Sequence, residues 1–172
     1  MSLAPERREL QFGGFGPSGF PGEVPMSART IYVGTDFSPA SERAFDVALE
    51  MARMRGAELV VGHVIDTPGV LGYGVGDIAR EVENRIREEK GMRLEALRRR
   101  ADRAGVPART ELLAGCPQDA LAEAAERAHA TMLVLGTNGR TGVSRMVMGS
   151  VAGRLVCTAP CPVLTVKESV AA

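Results

Sequence analysis

The chain contains no tryptophan, and aromatic residues make up only 4% of it. A core must therefore be assembled from Val, Leu, Ile, Ala and Met. Cysteine and histidine are also scarce. Cys116, Cys157 and Cys161 are an odd number at spacings that match no zinc pattern, and the two histidines, His63 and His129, stand far from them in sequence. The thiols read as small apolar residues of a reducing compartment, and no metal site is expected. Charge of one sign is missing too: 21 basic residues balance 21 acidic ones. That balance argues against nucleic-acid binding through bulk phosphate attraction, while leaving room for a small local anion site. No apolar run approaches the roughly 20 residues that span a bilayer, so no membrane partner is expected. The N-terminal stretch Met1-Ser2-Leu3-Ala4-Pro5-Glu6-Arg7-Arg8 has no apolar segment behind it and does not read as a secretory signal. The expected location is the cytoplasm.

What is present suits one ordinary domain. The 172 residues are 45% apolar and 24% charged, near the average for globular proteins. Residues 1–28 read as a flexible tail, because five glycines and three prolines between Gly13 and Pro25 leave little to bury. The tail holds Gly14-x-Gly16-x-x-Gly19, a formal dinucleotide fingerprint, but no strand precedes it and Pro17 interrupts it. Met26 could serve as an alternative start. Residues 29–168 form the expected folded domain.

From Thr30 onward strands and helices alternate. Residues 31–34 are a short β-rich run. Ser38, Pro39 and Glu42 then supply a cap, a first-turn proline and a first-turn acid for a helix that Gly56 ends. Residues 59–65 are a near-continuous apolar run, as in a strand covered on both faces. A Gly-rich loop over residues 66–76 precedes a long amphipathic helix from Asp77, whose Ile78, Val82, Ile86, Leu94, Leu97 and Ala101 are expected to face inward, with Gly91 a candidate bend. The loop's Gly74-x-Gly76-x-x-Ala79 follows the wrong strand for a dinucleotide loop and reads as a mobile cover over the site. Arg98-Arg99-Arg100 lies in this helix beside many acids and reads as a solvated face. Strands at 110–113, 131–136 and 162–166 and helices at 118–128 and 150–158 complete the pattern. The expected fold is α/β: a single-domain, Rossmann-like, five-stranded parallel sheet with helices on both faces and strand order 3-2-1-4-5.

Ligands of such sheets bind beyond the carboxyl ends of the strands, where strand order reverses. The most informative segment there is 136–150. Gly136 ends a buried strand, Gly139 follows, and Gly149-Ser150 open a helix. Glycines can take positive φ and bring backbone N–H groups close to a ligand, and a helix N-terminus attracts anions. Arg140 and Arg145 add guanidinium groups suited to phosphate oxygens. The alternative is that these glycines only make turns and Ser150 only caps. Asp36 likewise reads either as a ribose-recognising carboxylate or as a turn-former capping nearby amides, and His63 as a hydrogen-bonded core histidine.

The pattern Gly136-x2-Gly139-x9-Gly149-Ser150 resembles the nucleotide-binding signature of the universal stress protein family. The segments 31–38, 63–66, 115–117 and 159–166 resemble further parts of that family in the same order, so the likeness covers residues 30–167. The resemblance implies an ATP-binding stress-response protein, with Mg2+ accompanying the nucleotide. Thr35, Asp36 and Val64 would meet the nucleoside, Gly136 would lie near the ribose, and Gly139, Arg140, Gly149, Ser150 and Val151 would surround the phosphates. It also implies a homodimer through the fifth strand, whose apolar edge needs covering, and an unknown protein partner. An enzyme, either an ATPase or an adenylyl-transferring ligase, is the alternative. No Walker A pattern and no evident general base support it, so at most slow hydrolysis is expected and no catalytic residue is assigned. A redox role for Cys157 and Cys161 is disfavoured because Pro160 breaks the helical spacing between them.

Overall fold

The computed structural model describes residues 29–66, 76–137 and 148–168, and from residue 80 onward the side chains of the long second helix. Five strands form the sheet: β1 (Thr30–Gly34), β2 (Glu58–Ile65), β3 (Ala108–Ala114), β4 (Ala130–Gly136) and β5 (Val163–Val166). All pairings are parallel, in the order β3-β2-β1-β4-β5 expected of a Rossmann-like, doubly wound sheet. Four helices connect them: α1 (Pro39–Arg55), α2 (Gly76–Arg103), α3 (Pro117–Arg127) and α4 (Ser150–Thr158). No helix among the described residues is long and apolar enough to cross a membrane.

Strand periodicity divides the core between the two faces. Ile31, Val33, Leu59, Val61 and Val134 point toward α1 and α2, meeting Phe45, Ala48, Leu94, Leu97 and Ala101. Their neighbours Tyr32, Val60, Leu133 and Leu135 point the other way, against Leu121, Ala124 and Leu155 of α3 and α4. Large side chains are thus spread over both layers, which is how a sheet with so few aromatics fills its core. Tyr32 is completely buried. Its hydroxyl donates to Glu111 Oε2 at 3.1 Å, after the ring crosses the Cα of Gly62. Burial and the charge of Glu111 push this phenol well above the ordinary tyrosine range.

The caps of α1 fall where the sequence places them. Ser38 caps α1, its Oγ accepting from Ser41 N–H at 3.3 Å, and Gly56 ends that helix in the left-handed conformation at φ 60°. The basic run of α2 is an ion-paired surface. Arg98 meets Glu95 and Asp102, Arg99 meets Glu95, and Arg100 reaches Asp46 on α1.

One expectation for α2 fails. Leu94, Leu97 and Ala101 are buried, but Val82 is 50% and Ile86 36% exposed, while the side chain of Ile78 lies outside the described residues. The reason is length: 28 helical residues extend about 42 Å, whereas the seven residues of β3 cover about 23 Å. The amphipathic stripe continues past the sheet that would bury it. The helix also runs unbroken through Gly91. The tail 1–28 and most of the loop 66–76 lie outside the described residues.

Candidate functional site

Strand lengths create the site. β1 stops at Gly34, paired with Gly62 on one side and Leu135 on the other, whereas β2 continues to Ile65 and β4 to Gly136. The shorter central strand leaves a notch at its carboxyl end, at the switch point where the chain leaves in opposite directions on the two sides. A cavity of about 240 Å³ occupies that notch, near the lower end of ordinary small-molecule pockets of roughly 300–1,000 Å³.

The turn after β1 forms one wall. Thr35 N–H donates to Gly62 O at 2.9 Å, and the Thr35 hydroxyl lies 3.0 Å from that of Ser41 and accepts from Phe37 N–H at 3.0 Å. Asp36 Oδ1 accepts from Ser38 N–H at 3.1 Å and from the Ser38 hydroxyl at 2.6 Å. Asp36 therefore does form the amide-capping turn, and it lines the cavity as well. The turn-forming role leaves the residue at the cavity wall. Behind the turn, the buried His63 ring holds Thr35 O at 2.7 Å through Nδ1, so it is a hydrogen-bonded core histidine whose surface also reaches the cavity.

The opposite wall is the start of α4. Gly149 N–H donates to Thr137 O at 2.8 Å, while Thr137 N–H donates to Val166 O at 2.8 Å and extends the β4–β5 pairing. The chain between Thr137 and Gly149 is thereby closed at its base. Gly136 and Ser150, fourteen positions apart in sequence, share one rim. Gly149 occupies the cap position with φ −57°, and Ser150 is the first helical residue rather than the cap. By helix geometry the first amides of α4 lack intrahelical partners, and the dipole there favours negative charge. Ser150, Val151 and Ala152 present that terminus to the cavity.

The reason for glycine at position 136 differs from the expected one. Its φ is not in the left-handed region, and a Cβ there would lie 2.8 Å from Ala40 C and 2.8 Å from Ser41 N. The residue lets the end of β4 pass against the backbone of α1, which is a packing requirement. Gly149, at its negative φ, also needs no left-handed turn.

The fold thus gathers Thr35, Asp36, Val64, Gly136, Gly149, Ser150 and Val151 around one cavity. Gly139, Arg140 and Arg145 lie outside the described residues. Several lining residues were not singled out from the sequence: Ser41 on α1, Pro117 and Leu121 on α3, Leu135 on β4 and Thr137 beyond it. Ser41 carried a faint signal, three residues after the Ser38 cap. The apolar members look like any core residue until α3 is known to pack across this end of the sheet. Among the described residues no group of three or more His, Cys, Asp or Glu could hold a metal ion. Mg2+ needs no such cage, since it is held largely by phosphate oxygens and water with one or two protein groups. Cys116, Cys157 and Cys161 are free thiols, and burial raises that of Cys161, which makes it a poorer nucleophile.

Comparison with known proteins agrees with this architecture. A universal stress protein from Methanocaldococcus jannaschii is 34% identical over 140 residues, covering 81% of this chain and 82% of its own length. A universal stress protein solved in complex with cAMP is 28% identical with a TM-score of 0.62, covering 82% of this chain and 98% of that one. Another, from Archaeoglobus fulgidus in complex with dAMP, is 26% identical with a TM-score of 0.56, covering 81% and 98%. The sequence model of the universal stress protein family itself matches residues 27–167, nearly all of the part that folds into this sheet, and the chain belongs to that family.

Proposed function

We propose that this protein is a regulatory binder of an adenine nucleotide, ATP in the first instance, held at the carboxyl ends of β1 and β4. The observation that carries this reading is the pairing of two unlike walls across one cavity: a carboxylate-bearing turn at Asp36 and the positive end of α4 at Ser150. A nucleoside with its phosphates has this polarity, hydroxyl-rich at one end and anionic at the other. Relatives of this fold solved with cAMP and with dAMP support the adenine class.

In this reading Thr35, Asp36 and the backbone of Val64 take the nucleoside. Gly136 gives close access beside the ribose, and Gly139, Arg140, Gly149, Ser150 and Val151 surround the phosphates. Mg2+ enters with the triphosphate. Residues 29–168 act as the nucleotide-binding domain and residues 1–28 as a tail. The work takes place in the cytoplasm, and the bound nucleotide alters contact with a protein partner. β5 lies at the sheet edge with only four residues, Val163–Val166, and a second copy would cover it.

The decisive experiment is mass analysis of nucleotide co-purifying with the full chain, followed by equilibrium titration with ATP. Binding with turnover far below about one per second fits a regulatory binder, whereas sustained turnover above it favours an ATPase or adenylyl-transferring enzyme. Failure to bind any adenine nucleotide would remove the reading.

A further inference from the structure

Phe37, the residue after Asp36, has φ 62°, a left-handed conformation that is costly for a bulky side chain and that glycine would adopt freely. Such a backbone persists only where its surroundings fix it. Here the surroundings are specific. The Phe37 ring packs on that of His63, with centroids 4.5 Å apart at 45°. The guanidinium carbon of Arg93 lies 4.2 Å from the ring centroid, and Lys90 Nζ lies 5.9 Å from it. Both cations come from α2, Arg93 directly before and Lys90 one turn before Leu94, a fully packed core residue on that helix. Lys90 is itself buried, its ammonium donating to Glu89 at 2.9 Å.

We propose that Arg93 and Lys90 are positioning residues: by capping the Phe37 ring they hold the turn after β1 in its left-handed form and so fix Asp36 in the cavity wall. The chain of contact is continuous. Leu94 anchors α2, the cations cover Phe37, and Phe37 N–H donates to Thr35 Oγ1 while Ser38 N–H donates to Asp36 Oδ1. A shift of α2 would reach the carboxylate through that turn, with no α2 residue among the described residues that line the cavity. Only the identity of what Asp36 touches rests on the nucleotide reading.

The test uses the full chain titrated calorimetrically with adenosine and, separately, with ATP. Arg93→Ala is expected to weaken both by the same factor, about two- to fivefold, in line with cation–π energies at exposed sites. Arg93→Lys should restore most of the loss, because an ammonium also sits over a ring. In a Phe37→Gly background, where φ 62° costs nothing and the ring is gone, Arg93→Ala should have no further effect. Unchanged adenosine affinity in Arg93→Ala, or an effect of equal size in the Phe37→Gly background, would overturn the proposal. If wild-type protein binds neither probe, the nucleotide reading falls, and amide hydrogen exchange at Phe37 and Ser38 judges the clamp alone. Faster exchange in Arg93→Ala supports it, and unchanged exchange refutes it.

Discussion

The same substitution at two glycines should move stability in opposite directions. At Gly136 an added Cβ would lie 2.8 Å from two backbone atoms of α1, Ala40 C and Ser41 N, and 3.1 Å from Ala40 Cβ. No flexible side chain can yield, so either the end of β4 or the start of α1 must move by a few tenths of an ångström. Overpacking of this kind costs about 1–3 kcal/mol. At Gly91, inside α2, an added Cβ would meet nothing within 4 Å. Alanine there should stabilise by about 0.5–1 kcal/mol through helix propensity alone. In a chain of this size 1 kcal/mol corresponds to roughly 2–4 °C in Tm. Gly136→Ala should therefore melt visibly lower and Gly91→Ala slightly higher than wild type. Urea unfolding, with a displaced midpoint and an unchanged slope, would confirm that native-state stability is what changed. The Gly136 clash also disturbs Ser41, which accepts a place on the cavity wall and donates its amide to the Ser38 cap, so nucleotide affinity should fall along with stability. Wild-type stability in Gly136→Ala would refute the packing account. If binding were lost at the same time, the glycine would be a ligand contact instead.

Gly149→Val should abolish ATP binding while leaving the unfolding free energy within about 1 kcal/mol of wild type, since the cap position has negative φ and is not left-handed; calorimetric titration and urea melts on the same sample decide it. Gly62→Ala would place a Cβ 2.7 Å from Tyr32 Cε1 and 2.8 Å from Cζ, so it should destabilise by about 1–3 kcal/mol and be partly rescued by Tyr32→Val in a double-mutant cycle, additivity counting against the contact. Leu94→Ala should cost about 2–5 kcal/mol but Val82→Ala under about 0.5, as chemical denaturation would register, because Leu94 is buried in the core whereas Val82 is half exposed. Glu95 is held down to about 2 by hydrogen bonds from Arg98 and Arg99. A carboxyl depressed in the folded state contributes stability that is present above its ordinary value of 4.5 and lost as pH falls toward 2. Glu95→Gln should accordingly flatten the decline of Tm between those pH values, and an unaltered slope would contradict the assignment.

The sequence by itself determined the layer structure. Alternating short apolar runs and helical repeats can be buried only as a parallel sheet covered on both faces, and the local signals at Ser38, Pro39 and Gly56 set the ends of α1 because capping is chemistry between near neighbours. The motif residues Asp36, Gly149 and Ser150 were legible for the same reason: each sits just past a strand or at a helix start. Tertiary structure decided whatever depends on distant backbone. The exposure of Val82 and Ile86 follows from a helix outrunning its sheet, which no periodicity reveals. The need for glycine at 136 comes from α1, almost a hundred positions earlier in the chain. Most of all, the cavity exists because β1 is shorter than the strands on either side, and the clamp on Phe37 exists because α2 crosses behind that short strand's turn. Pattern fixes which residues must be buried. Only the packed arrangement fixes which of them then face one another.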